Sequence, residues 1–150
     1  MNLRSVFLAG QAAVRHMRTT GGSIVNISSI GGQVPDISQV AYGTSKAAIN
    51  YLTKLIALQE GHHRIRCNAV LPGMTATQAV QTHLSPAFRD RFLRRIPLGR
   101  MAEPEEIAAA VVYLVSDESA YTTGQLLTIS GGFALGSPLY GDSENQQTGR

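Results

Sequence analysis

The sequence predicts an α/β protein, part of a doubly wound parallel sheet with about three strands and flanking helices. Two observations carry that prediction. Three short, mostly apolar runs at 23–28, 65–71 and 126–130 alternate with longer stretches whose apolar residues recur at helical spacing. Glycine or proline punctuates the end of each run, at Gly31-Gly32, Pro72-Gly73 and Gly131-Gly132. The chain has 150 residues, 43% of them hydrophobic and 15% charged, which is one domain's worth of folded rather than disordered composition. Strands separated by helices pair in parallel through right-handed crossovers. Three such strands make a thin sheet for a parallel fold, which normally has several neighbours and both faces covered. The sheet therefore reads as half of a doubly wound domain.

The first helical stretch, residues 2–18, places Leu3, Val6, Gly10, Ala13 and Met17 on one stripe and stops at Gly21-Gly22. Residues 23–28 form a buried strand, and two glycines and a proline make 30–36 a loop. A long helix over 38–60 lines up Ala41, Ser45, Ala48, Leu52 and Leu55, with Gly61 as its stop. The second strand, 65–71, closes at Pro72-Gly73, and the polar stretch 74–97 holds one or two short, mobile helices. Glu103, Pro104, Glu105 and Glu106 suit a helix N-terminus ahead of the apolar run 107–115. The third strand ends at Gly131-Gly132. Residues 1–135 thus form the domain and 136–150 a polar tail.

Tyr42-Gly43-Thr44-Ser45-Lys46 is the strongest chemical signal. A separation of four puts phenol and ammonium on one helical face, and a cation fixed beside a phenol favours its anionic form. Such a tyrosine exchanges a proton with a carbonyl or alcohol oxygen. Alone, the pattern is more often a surface pair. Ser29 changes the balance: it lies 13 residues earlier, just past the first strand, where open α/β sheets place their sites. Its hydroxyl can donate to the same substrate oxygen. Pro72-Gly73 follows the next strand at the same rim, with Thr75 and Thr77 beyond. The competing roles are a turn cap for Ser29 and a helix cap for Thr77. Convergence of three features on one rim favours function.

These motifs resemble the short-chain dehydrogenase/reductase family, over residues 2–132. The resemblance assigns the catalytic serine to Ser29 and the tyrosine and lysine to Tyr42 and Lys46. It places the family's strand-end Pro-Gly motif on Pro72 and Gly73, with Thr77 at the usual threonine. The stretches at 96–107 and 123–125 match as well. Asn2 falls at the family's catalytic asparagine, which helps hold a water beside the lysine; a helix N-cap is the alternative role for it. Ser130 stands where the family often has aspartate. The resemblance implies a Rossmann-like fold, an NAD(P)-dependent interconversion of alcohol and carbonyl, and homo-oligomers. Tyr42, Lys46, Pro72, Gly73, Thr75 and Thr77 would contact NAD or NADP. The family's glycine-rich pyrophosphate turn belongs far upstream, beyond the 41 residues that precede Tyr42 here, and none of the glycine pairs supplies it. The expectation is therefore an enzyme by family whose 150-residue chain, taken alone, is truncated, catalytically silent and either self-associating or partner-dependent. The alternative is a non-catalytic assembly or binding module that associates with a full-length homologue.

The remaining features bound the function. Thirteen basic against ten acidic residues leave +3, with the positives clustered only around 89–95, so nucleic acid is poorly supported as a partner. One cysteine, Cys67, gives no intrachain disulfide and fits a cytoplasmic location; alternation within its strand makes it a small core residue. No apolar run spans a membrane. His62-His63 follow Gly61 in a turn, which argues for solvent exposure rather than a metal. Arg91, Arg94 and Arg95 are a solvated helix face or, less favoured, an anionic-substrate contact. Residues 74–96 mix apolar side chains with arginines and suit a mobile lid over a partly apolar alcohol or ketone.

Overall fold

The computed structural model describes residues 2–135, apart from the side chain of Asn2 and a few others; the expected tail at 136–150 lies outside the described residues. In chain order the elements are α1 (Asn2–Met17), β1 (Gly22–Ile27), α2 (Val40–Glu60), β2 (Ile65–Pro72), α3 (Gln78–His83), α4 (Pro86–Leu93), α5 (Pro104–Val115) and β3 (Leu126–Ile129). The strands form one sheet in the order β1-β2-β3, both pairings parallel, with Ser23 opposite Arg66, Ile27 opposite Val70 and Pro72 opposite Ile129.

Side-chain alternation shows that the sheet is wound on both faces. Asn26 donates to Thr53 Oγ1 of α2 at 2.9 Å, whereas Ser23 and Arg66 reach the carbonyl of Leu114 in α5 at 2.8 and 2.9 Å. Positions 23 and 26 point to opposite faces of a strand, so α2 and α5 cover opposite faces. α1 packs beside α2, where Gly10 lets the two helices approach. As the middle strand, β2 is covered on both faces and both edges, and Cys67, Asn68, Ala69, Val70 and Leu71 are fully buried. Its buried amide is satisfied: Asn68 Nδ2 donates to Thr122 O, and the N–H of Gln125 donates to Asn68 Oδ1, each at 2.9 Å. Arg66 also donates to Ser116 O and Ser119 Oγ, so one guanidinium serves the carbonyls that α5 leaves unpaired at its C-terminus. Burial pushes the Cys67 thiol up to about 12, which makes it an inert core residue.

One boundary differs from the sequence reading, and a second is reached in another conformation. α2 begins at Val40, not Ser38, because Asp36 accepts from the N–H and hydroxyl of Ser38 (2.8 and 2.7 Å) and winds Ile37–Gln39 into a separate 3₁₀ turn. α2 stops at Glu60 with Gly61 as its C-cap, as expected, but Gly61 is not left-handed. Its φ is −58°, the chain continues through a 3₁₀ turn, and Arg64 takes the left-handed position at φ 60°. That turn aims the Arg64 carbonyl at the N–H of Gly22, 3.2 Å away, where the β1–β2 ladder starts. α5 begins at Pro104, within the N-terminus expected at 103–106, behind a capping box of Glu103 and Glu106.

Two ion pairs were not legible in the sequence. Arg18 grips Glu60 with two bonds (3.0 and 2.8 Å) and ties the C-terminal ends of α1 and α2 together. Arg100 grips Glu106 likewise at 2.7 Å, and with the N–H of Glu103 it holds the Glu106 carboxyl at about 2, against an ordinary 4.5. A depressed carboxylate stabilises the fold fully above its unfolded value and loses that contribution as pH falls through its folded one. Glu106→Gln is therefore expected to flatten part of the fall in melting temperature between pH 4.5 and about 2. A variant whose acid curve parallels the wild type there would show that the pair contributes nothing.

Candidate active site

The site is built where β1 and β2 end. Ser28 is buried, and its hydroxyl donates to the carbonyl of Lys46 at 3.1 Å. Ser29, in extended conformation, caps the 3₁₀ turn Ile30–Gly32 by accepting the N–H of Gly31 at 3.1 Å. Serine has one proton to give besides, so the cap leaves Ser29 able to donate to a ligand.

α2 brings the other two groups. Tyr42 lies in its first turn, 39% exposed, and Lys46 follows one turn later with its Nζ 5.6 Å from the centre of the Tyr42 ring. The ammonium donates one bond, to the carbonyl of Ile27 at 3.0 Å, on an exposed edge of the site. Loop and helix meet without intervening side chains. A Cβ on Gly43 would lie 2.9 Å from the carbonyl oxygen of Gly31. One on Gly32 would lie 2.8 Å from Lys46 C and 2.9 Å from Ala47 N. Only glycine permits these approaches. The result is a shared edge: a point one bond from Gly31 Cα is 3.5 Å from Ser29 Oγ and 3.6 Å from Cε1 of Tyr42. Ser29, Tyr42 and Lys46 are thus brought together.

The other expected positions sit beside them, after the adjacent strand. The Gly73 N–H donates to Ile129 O at 2.8 Å, and Thr75 donates to Gly73 O at 3.2 Å while bridging to Ala102. Thr77 accepts the N–H of Val80 at 3.3 Å and caps α3, so the helix-cap role weighed for it is filled. Pro72, Gly73, Thr75 and Thr77 therefore lie at the same rim, on the neighbouring strand's outlet, apart from the Ser29–Tyr42–Lys46 cluster. The side chain of Asn2 lies outside the described residues. Three contacts escaped the sequence reading: Ser28 with Lys46 O, Lys46 with Ile27 O, and Thr128 Oγ1 with Gln33 Oε1 at 3.0 Å. A hint existed for the close approach of loop and helix. Gly43 inside a helix costs about 1 kcal/mol relative to alanine, and such a glycine marks a close approach.

Comparison with known proteins decides the family. The family described as enoyl-(acyl carrier protein) reductase matches residues 1–134. The chain belongs to the short-chain dehydrogenase/reductases. It is 54% identical over 142 residues to a 7alpha-hydroxysteroid dehydrogenase of Clostridium sardiniense, covering 94% of this chain and 54% of that protein. It is 44% identical over 137 residues to a (3R)-3-hydroxyacyl-CoA dehydrogenase of Rattus norvegicus, covering 90% of this chain and 52% of that one. Among solved structures it superimposes with TM-score 0.84 and 32% identity on a 7 alpha-hydroxysteroid dehydrogenase complexed with NADH and 7-oxo glycochenodeoxycholic acid, covering 88% and 52% of the two chains. A gluconate 5-dehydrogenase from Burkholderia cenocepacia J2315, in complex with NADP and tartrate, gives TM-score 0.86 at 31% identity, covering 90% and 54%. The chain spans about half the length of the curated relatives it matches. The expected α/β class, with a parallel sheet of the Rossmann type, is what these short-chain dehydrogenase/reductase structures share.

Proposed function

We propose that this chain carries the proton-transfer half of an NAD(P)-dependent oxidoreductase that interconverts a secondary alcohol and a ketone. The observation that carries the reading is the convergence of the Ser29 hydroxyl, the Tyr42 ring and the Lys46 ammonium at the carboxyl rim of β1. In the reducing direction Ser29 donates to the substrate oxygen and orients it, and Tyr42 gives that oxygen its phenolic proton. In the oxidising direction Tyr42 takes the proton from the alcohol. Lys46 places its ammonium over the Tyr42 ring, 5.6 Å from its centre.

A nicotinamide supplies the hydride for reduction, or accepts it in oxidation, when bound. The donor set fits such a cofactor. Lys46 Nζ spends one of three N–H groups on Ile27 O and keeps two for ribose hydroxyls, with Tyr42 beside it. Gly73, Thr75 and Thr77, with Pro72, offer backbone and hydroxyl groups at the outlet of β2 for the carboxamide and pyrophosphate side. Asn2 remains part of the proposal as the residue that helps hold a water beside Lys46. Ser29→Ala is expected to reduce kcat by about 10²-fold, the typical cost of one donor at a developing oxyanion. Unchanged turnover would remove Ser29 from the mechanism.

The relatives make oxo-steroids and 3-oxoacyl thioesters the first substrates to assay. The stretch between the Thr75–Ala102 bridge and the buried Ile96 forms the lid over such a substrate; its α4 rests on Phe133 through a Phe92–Phe133 stack at 4.7 Å. Hydrogen exchange without ligand is expected to be faster across 78–92 than across β1, and equal protection would contradict a mobile lid. No helix among the described residues is long and apolar enough to cross a membrane. The free, buried Cys67 fits the proposed cytoplasmic setting.

A specific observation favours a second reading, an assembly module. Leu3, Phe7, Tyr51, Leu52 and Leu55 line an apolar cleft of about 510 Å³ between α1 and α2, and the outer edge of β1 has no strand partner among the described residues. On this reading the 150-residue chain self-associates or pairs with a full-length homologue, and it binds no dinucleotide. Light scattering combined with calorimetric titration of NAD(H) and NADP(H) tests it; a monodisperse monomer with micromolar affinity would overturn it.

A further inference from the structure

Asn50 lies on α2 one turn beyond Lys46 and two beyond Tyr42, and only 5% of it is exposed. A buried amide in a helix interior lowers stability unless its groups are paired. Here only half of it is. Nδ2 donates to the carbonyl of Gly32 at 3.2 Å, while Oδ1 is buried without a partner. The orientation is fixed, because a flipped amide would set oxygen against the Gly32 oxygen. An apolar residue of the same size would avoid an orphaned acceptor, so the amide is a stability cost that the fold retains for what Nδ2 holds.

What it holds is the turn that carries Ser29. The N–H of Gly32 donates to Ser29 O at 3.0 Å and that of Gly31 to Ser29 Oγ at 3.1 Å, so the bond from Asn50 reaches the serine through one residue, Gly32. On the other side, the Ser28 hydroxyl donates to Lys46 O at 3.1 Å. The Ser29 segment is therefore fastened to α2 at two points, one on each side of the serine. Small errors in such a placement cost large factors in rate.

We propose that Asn50 is a positioning residue that fixes the Ser29 hydroxyl against Tyr42 by holding the Gly32 carbonyl. The inference rests on the reading of Ser29 and Tyr42 given above. Asn50→Leu removes the donor together with the orphaned acceptor, and Asn50→Ser is too short to reach Gly32 but is well tolerated in a helix. In both variants amide exchange at Gly31, Gly32, Gln33 and Val34 is expected to accelerate about tenfold or more, with exchange at Cys67 and Ala69 in β2 unchanged. Asn50→Leu is further expected to melt no lower than the wild type, an outcome that a merely structural role forbids. Unchanged protection at 31–34, or equal acceleration there and in β2, would overturn the proposal. Exchange reads Asn50 without needing turnover, whereas Ser29→Ala reads the catalytic assignment, so the two can fail separately.

Discussion

Tyr42→Phe, introduced at the native locus, is expected to lower kcat by about 10³- to 10⁴-fold while cofactor affinity and melting temperature stay close to wild type. The phenylalanine keeps the ring that lies beside Gly31 and beneath the Lys46 ammonium, so packing is preserved and only the transferable proton is lost. An effect confined to kcat is the signature of an interaction made in the transition state. Equal losses in folding and turnover would instead mean that Tyr42 supports structure. Retention of near-normal turnover would take Tyr42 out of the chemistry.

Gly32→Ala is expected to have the largest effect on the loop itself. Its Cβ would lie 2.8 to 2.9 Å from three atoms, two of them in the backbone of α2, and a backbone cannot swing away as a side-chain tip can. The loop must lift off the helix, at a cost of about 1–3 kcal/mol, the range for overpacking a well-filled site. Because the same residue fastens Ser29, turnover should fall with stability. Gly61→Ala is the control: its Cβ meets nothing within 4 Å and its φ of −58° suits alanine. That change should be neutral or stabilise by about 0.4–1 kcal/mol through the unfolded chain. Chemical denaturation of the two variants decides the point, and a Gly32→Ala protein as stable as the wild type would contradict the close packing described.

The fold was legible because its signals are local. Strand runs bounded by glycine and proline, and stripes at helical spacing, need no knowledge of what packs where, and the parallel order follows from alternation alone. The spacing from Ser29 to Tyr42 and Lys46 was equally readable, since a strand end and a helix turn are both set by chain geometry. What escaped depends on contacts between distant residues. Nothing near Arg64 announces a left-handed turn; its carbonyl is needed by Gly22, 42 positions away in the chain. Arg18 and Glu60 look like ordinary surface charges until α1 and α2 lie side by side. Asn50 lies off the apolar stripe read for this helix, and its bond to Gly32 is visible only once that residue rests on the helix.

The most direct test of the central claim is isotope transfer by the native protein. NADH and NADPH deuterated at the reactive ring carbon are supplied with an oxo-steroid or a 3-oxoacyl thioester, and the product alcohol is analysed by mass spectrometry. The account predicts deuterium on the carbinol carbon in the wild type, and about 10³-fold less labelled product with Tyr42→Phe. An alcohol formed without label, or labelled equally by both proteins, would contradict it.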